Sequence, residues 1–294
     1  LYVFLLELRF TVPWGQLAAK AWGPSDGRPV LCLHGWLDNA NTFDRLIPLL
    51  PNDHHFVALD FSGHGLSSHM PEGVRYQHVD YVSDVHRVVT QLGWRQFSIM
   101  GHSMGKNNCF IILPWGFRFS IFALLVHVCQ LTQVQEYSKI SVIINNDIIA
   151  LLQPSIETNA IHCFFAFSVS RLLEANVSLT QETAKLLLER GTKTVEGGNV
   201  FSDRDHFIVS LNNSLPLSTE QCVLMLSKIQ ADVHIIIVFS ELYSIFLLGV
   251  MSKLYFGWTL HKADISVVDG NHFVHLNEPE KVAGIINDFL HARS

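Results

Sequence analysis

The first hundred residues alternate short β-rich runs with helical patterns, an order that restricts the chain to a mostly parallel sheet flanked by helices. "PVLCLHG" (Pro29 to Gly35) is an apolar run of strand length ending on a glycine, and "HHFVALDFSGHG" (His54 to Gly65) is another strand running into a glycine turn. Between them "NTFDRLIPLL" (Asn41 to Leu50) predicts a helix. In "QHVDYVSDVHRVVTQLG" Val79, Val82, Val85, Val88 and Val89 recur at helical spacing as far as a stop at Gly93. "RQFSIM" is then a further strand, and "LYVFLLELRF" reads as an edge strand, because Glu7 and Arg9 stand where a signal peptide would have its cleavage region.

From Lys106 to about Ser138 the alternation fails: apolar residues run without period, and Pro114-Trp115-Gly116 interrupts any helix. "KISVIIN" (Lys139 to Asn145) predicts the next strand. "SLTQETAKLLLERG" predicts an amphipathic helix with Ser178 and Gln181 as a capping box and Gly191 as C-cap, and "STEQCVLMLSKIQ" repeats the device with Ser218 and Gln221. These helices have no strand of their own, so residues 148–230 read as a helical lid inserted into a core of residues 1–147 and 231–294. "ADVHIIIVF" and "ADISVVDG" resume the sheet, and "NEPEKVAGIINDFL" closes the chain as a helix capped by Asn277.

Composition narrows the partners. A net charge of −6 with 20 Lys plus Arg spread along the chain argues against nucleic acid or an anionic membrane surface and for a small-molecule or protein partner. Five cysteines, an odd number with no C-x-x-C pair, point to a reducing compartment and to no structural zinc. The apolar run from Cys109 to Gln130 is long enough to cross a bilayer, but Arg118 near its middle would cost roughly 2.5–3.5 kcal/mol there, so a buried segment is preferred and membrane association is not expected.

The chemistry centres on "FSIMGHSMGK". G-x-S-x-G, here Gly101-His102-Ser103-Met104-Gly105, follows a strand, where a tight strand-to-helix turn would expose Ser103 as a nucleophile. A general base is available downstream: His272 in "VVDGNHFVH" sits on a tight loop after a strand, whereas His275 reads as one of 16 histidines with no special role. In "LHGW" a strand ends at His34 and Gly35 turns the chain, so the N–H of Trp36, beside that of Met104, would stabilise an oxyanion. Asp60, Gly63 and Gly65 read as structural residues of a turn. For the acid that orients the base, Glu241 just after "VHIIIVF" is preferred slightly over Asp147 after "SVIIN".

Together "PVLCLHGWLDNANTFDRLIPLLP", "FVALDFSGHGLSSH", "FSIMGHSMG", "LLLERGTKTVEGG" and "GNHFVHLNEPEKVAGIINDFL" resemble the serine hydrolase-like proteins of vertebrates, a family of the α/β-hydrolase superfamily. The resemblance implies a serine hydrolase that needs no cofactor or metal, in the cytoplasm or associated with vesicles or peroxisomes, with Ser103 as nucleophile, His272 as base and the Trp36 and Met104 backbones as oxyanion donors. Two stretches, residues 106–138 and 242–260, match nothing in that family, and Lys106 stands where relatives carry a glycine. The expected function is hydrolysis of acyl esters through an acyl-enzyme; the alternative is a catalytically impaired α/β-hydrolase scaffold, a ligand-binding or mis-spliced product.

Overall fold

The computed structural model describes residues 5–105, 118–127, 160–194, 200–202, 231–239 and 263–292. Among these residues eight strands form one sheet: β1 (Leu5–Val12), β2 (Gly15–Trp22), β3 (Arg28–Leu33), β4 (His54–Leu59), β5 (Gln96–Gly101), β6 (Arg118–His127), β9 (Val233–Phe239) and β10 (Ala263–Asp269). Their spatial order is 1-2-4-3-5-6-9-10. β1 and β2 pair antiparallel, as do β2 and β4, and every other neighbouring pair is parallel. The remaining strands, β7 (Thr192–Thr194) and β8 (Val200–Ser202), form a small antiparallel ribbon of their own.

One face of the sheet is covered by α1 (His78–Leu92), whose Tyr81, Val82, Val85, Val88 and Val89 are buried with Leu31, Leu33 and Ile99. Gly93 ends α1 in the left-handed conformation at φ 69°, as its place in the pattern predicts. The other face is covered by Phe43, Leu46 and the C-terminal helix α5 (Glu280–His291), through Val282, Ile286 and Phe289. Helices α2 (Ala160–Ala175) and α3 (Gln181–Gly191) pack with Phe273 and Leu276 of the short helix region α4 (Val274–Asn277) and its entry. The inserted segment therefore lies on the loop that follows β10.

Several local expectations are corrected. Residues 41–50 do not form one helix: they make two 3-10 turns, Ala40–Phe43 and Ile47–Leu49. Asn39 caps the first, accepting from the Asn41 N–H, and Pro48 lies within the second, where a continuous helix would need its missing N–H. The aperiodic stretch after the elbow contains β6, the strand between β5 and β9, so Arg118 opens a sheet strand. The strand predicted at Lys139–Asn145 and the helix at Ser218–Gln221 lie outside the described residues. α3 is capped by Thr180 paired with Thr183 in place of Ser178 and Gln181, and Gly191 is its last residue. Asn277 does not cap α5, which starts after Pro279; it ends α4, where its side chain donates to Ser178 O and accepts from the Thr183 hydroxyl. The lid segment also carries strands, β7 and β8. Among the described residues no helix is long and apolar enough to cross a membrane.

One buried carboxyl makes stability depend on pH. Asp84 on α1 is fully buried, its Oδ2 accepts from the Ser62 N–H at 3.1 Å, and Arg87 Nη1 stays 3.9 Å from Oδ1. Burial pushes its pKa up to about 7, against the weaker pull of Ser62 and Arg87. A carboxyl raised in the folded state contributes stability that is full below the unfolded value of 3.8 and is lost as pH rises through about 7. Asp84→Asn keeps an acceptor for Ser62 and removes the charge. The variant is therefore expected to melt higher than the parent at pH 8, by roughly 2–4 °C per kcal/mol recovered, and to lose that advantage at pH 4. A gain independent of pH would show that the Asp84 charge is not responsible.

Candidate active site

In a sheet of this topology the C-terminal ends of the parallel strands open onto one edge, and loops from non-neighbouring strands meet there. β5 ends at Gly101, paired with Leu33 of β3, and the His102 N–H continues the ladder by donating to Leu33 O at 2.9 Å. The next residue, Ser103, has φ 51°, one of two non-glycine residues in the left-handed region among those described. A side chain held there costs roughly 1–2 kcal/mol, and such strain persists only where the surroundings over-determine it. The surroundings are visible: Gly105 donates to His102 O at 2.8 Å, and a Cβ on Gly105 would fall 2.1 Å from Leu33 O and 2.6 Å from Leu33 C. No rotamer relieves a clash with backbone, so the turn requires glycine there. Ser103 itself is half-buried, while His102 and Met104 on either side are buried.

The loop after β3 runs against this turn. A Cβ on Gly35 would come 3.3 Å from Ser103 Cβ and 3.1 Å from His102 Nδ1, so the Gly35 backbone lies against the His102 and Ser103 side chains and the Trp36 peptide follows directly. The other left-handed residue, Leu37 at φ 57°, continues this loop; its N–H donates to His64 Nε2 at 3.3 Å, and Asp38 N–H closes the turn onto Gly35 O. His34, wholly buried, holds the base of the loop, with Nδ1–H donating to Gly35 O at 2.7 Å and Nε2 accepting from the Phe61 N–H at 3.1 Å. Those bonds need a neutral ring, and burial lowers the His34 pKa, which keeps it neutral.

The third loop, after β10, brings His272. Its carbonyl accepts from His102 Nε2–H at 2.9 Å, and the two rings lie 4.8 Å apart between centroids. The structure thus brings Ser103, Met104, Trp36 and His272 into one cluster of three loops. Glu241 and Asp147 lie outside the described residues. β9 ends at Phe239, just before Glu241, whereas the strand lying against β9 ends at His127, so Asp147 does not directly follow that strand. Lys106 is likewise outside the described residues.

Sequence reasoning passed over three residues here. The His102 ring packs tilted against that of His275, 4.1 Å between centroids; His275 is wholly buried, its Nε2 bonded to the Thr42 hydroxyl at 2.9 Å and its pKa held well below the ordinary value by burial and by the neighbouring His102 and His272 rings. Asp38, also buried, places Oδ2 3.7 Å from His102 Nδ1. The position of His102 inside the G-x-S-x-G motif was the only signal available for any of them. Asp60, read as structural, accepts from the N–H groups of Ala40 and Leu66 and from Arg190 Nε. Among the described residues no group of three or more His, Cys, Asp or Glu is arranged to hold a metal ion.

Known proteins resemble this chain in sequence and fold. The family model for the alpha/beta hydrolase fold matches residues 28–113, which span the Gly35 loop and the elbow. The chain is 42% identical over 293 residues to a serine hydrolase-like protein of Danio rerio, covering 98% of this chain and 89% of that one. It is 41% identical to serine hydrolase-like protein 2 of Homo sapiens, covering 97% of this chain and 93% of that one. A hypothetical protein of Pseudomonas aeruginosa, 28% identical, superposes with a TM-score of 0.72 over 97% of this chain and 98% of that one. A thioesterase domain from the curacin biosynthetic pathway, 23% identical, has the same fold with a TM-score of 0.71 over 96% of this chain and 99% of that one. Identity at this level along almost the whole chain, on a sheet ordered this way around a strained serine turn, makes the chain a member of the serine hydrolase-like family of α/β-hydrolases.

Proposed function

We propose that the protein is an esterase-type hydrolase that cleaves acyl esters through an acyl-enzyme on Ser103. The observation that carries this reading is Ser103 held at φ 51° against Gly35, with the His272 loop bonded to the adjacent residue. His272 takes the Oγ proton as Oγ attacks the acyl carbonyl, the N–H groups of Trp36 and Met104 hold the oxyanion, and the proton passes to the departing alkoxide. Water, deprotonated by the same imidazole, then releases the acid. Glu241 is the proposed orienting carboxylate, ahead of Asp147. Phe273, buried beside His102 and His272 and packed with the α2–α3 segment, gives the region an apolar character that suits an acyl group better than a phosphate.

A fluorophosphonate probe tests the reading, because it phosphonylates only an activated serine. Labelling is expected at a peptide containing Ser103, and none in Ser103→Ala. An unlabelled Ser103 in protein shown to be folded would leave the chain an α/β-hydrolase scaffold without this chemistry.

A further inference from the structure

His102 touches all three loops at once. Its own backbone belongs to the elbow; its ring packs under Gly35 closely enough that an alanine Cβ there would lie 3.1 Å from Nδ1 and 3.4 Å from Cε1; and its Nε2–H donates to the main-chain carbonyl of His272. The side chain is 1% exposed, so the donor end of this bond is shielded from competing water, while the carbonyl belongs to a partly buried residue. On its far side Asp38 Oδ2 faces Nδ1 at 3.7 Å, and neither atom has a hydrogen-bond partner among the described residues. With Nε2 committed as a donor, the ring is fixed in rotation, and Phe273 and His275 pack against it at 5.4 and 4.1 Å.

We infer that His102 is a positioning residue, a clamp that sets the distance between the Ser103 elbow and the His272 loop by hydrogen-bonding the His272 carbonyl. It does not touch substrate and moves no proton in the reaction. The inference rests on the proposed roles of Ser103 and His272. Its physical basis is that the loop after β10 must hold its imidazole within hydrogen-bond reach of Oγ, and a misplacement of about 1 Å costs on the order of 100-fold in rate. Anchoring that loop through its main-chain carbonyl occupies neither ring nitrogen of His272 in the clamp itself.

The test compares His102→Phe, which keeps a flat ring but loses the donor, with His102→Gln, whose side-chain amide restores one near the Nε2 position. His102→Leu repeats the donor loss with less bulk, should the phenyl ring not be tolerated. Two readouts are taken on the full chain: kcat and KM for a p-nitrophenyl ester, and amide hydrogen exchange across Asn271 to Val274. His102→Phe is expected to lower kcat about 10- to 100-fold with KM little changed, and to speed exchange in that segment, while His102→Gln stays close to the parent in both. Parent-like exchange in the donor-less variants, or equal damage in His102→Gln, overturns the clamp. If the unmodified protein lacks hydrolase activity, the function reading falls and the exchange result alone decides the clamp.

Discussion

Ser103→Ala and His272→Ala are each expected to reduce ester hydrolysis by more than about 1,000-fold, and the double variant to be hardly worse than either. The non-additivity is the discriminating part. A nucleophile and its base act on one bond-making event, so removing either removes the whole contribution. Two residues that merely shape a binding pocket would give losses that add, and would act mainly on KM. The structure motivates the coupling: the His272 backbone is bonded to the residue preceding Ser103, and both lie on loops that open from the same edge of the sheet. The same measurement assigns the acid. Glu241→Gln is expected to lower kcat strongly and Asp147→Asn to leave it near the parent value, since one carboxylate orients the imidazole. Additive losses from Ser103→Ala and His272→Ala would dismiss the dyad, and small equal losses at Glu241 and Asp147 would exclude both as the acid.

The largest stability effect is expected at Arg190. This residue lies in the last turn of α3 in the inserted segment, yet its guanidinium is buried against the sheet: Nε donates to Asp60 Oδ2 at 2.7 Å, and Nη1 and Nη2 grip the two oxygens of Glu7 on β1. Asp60 is wholly buried after β4, and the Asn39 and Asn41 side-chain amides donate to the last-turn carbonyls Leu187 O and Leu186 O of the same helix. Arg190→Met keeps most of the volume and deletes the cation. Two backbone N–H groups remain on Asp60, but its charge becomes uncompensated in a dry environment, a situation that costs about 3–5 kcal/mol. Glu7, partly exposed, is rehydrated and adds little. Urea unfolding is expected to show that loss in Arg190→Met and recovery of a large part of it in Arg190→Met with Asp60→Asn, where no charge is buried. A loss below about 1 kcal/mol would mean that water reaches Asp60 and that α3 is not locked to the core.

Much of this architecture was readable from the chain alone, wherever a local rule had one solution. Strand length and alternation placed β3, β4, β5, β9 and β10, valines at helical spacing with Gly93 beyond them placed α1, and G-x-S-x-G after a strand placed the turn at Ser103. Where two local solutions compete, the pattern failed. β6 lies between β5 and β9 in a parallel sheet, a setting in which a strand needs no alternation, so its residues read as an aperiodic apolar run. The cap of α3 fell to Thr180 over Ser178, two residues with similar capping chemistry whose choice depends on how Ser178 O is held by Asn277 from another loop.

The active-site cluster divides in the same way. Residue type and motif position singled out Ser103, His272 and the Gly35 turn as candidates, because each proposed role needs chemistry that few residues supply. That His102, Asp38 and His275 gather behind them was decided only by strand order. Pairing between strands far apart in sequence sets which loops share an edge of the sheet, and no spacing along the chain encodes that meeting.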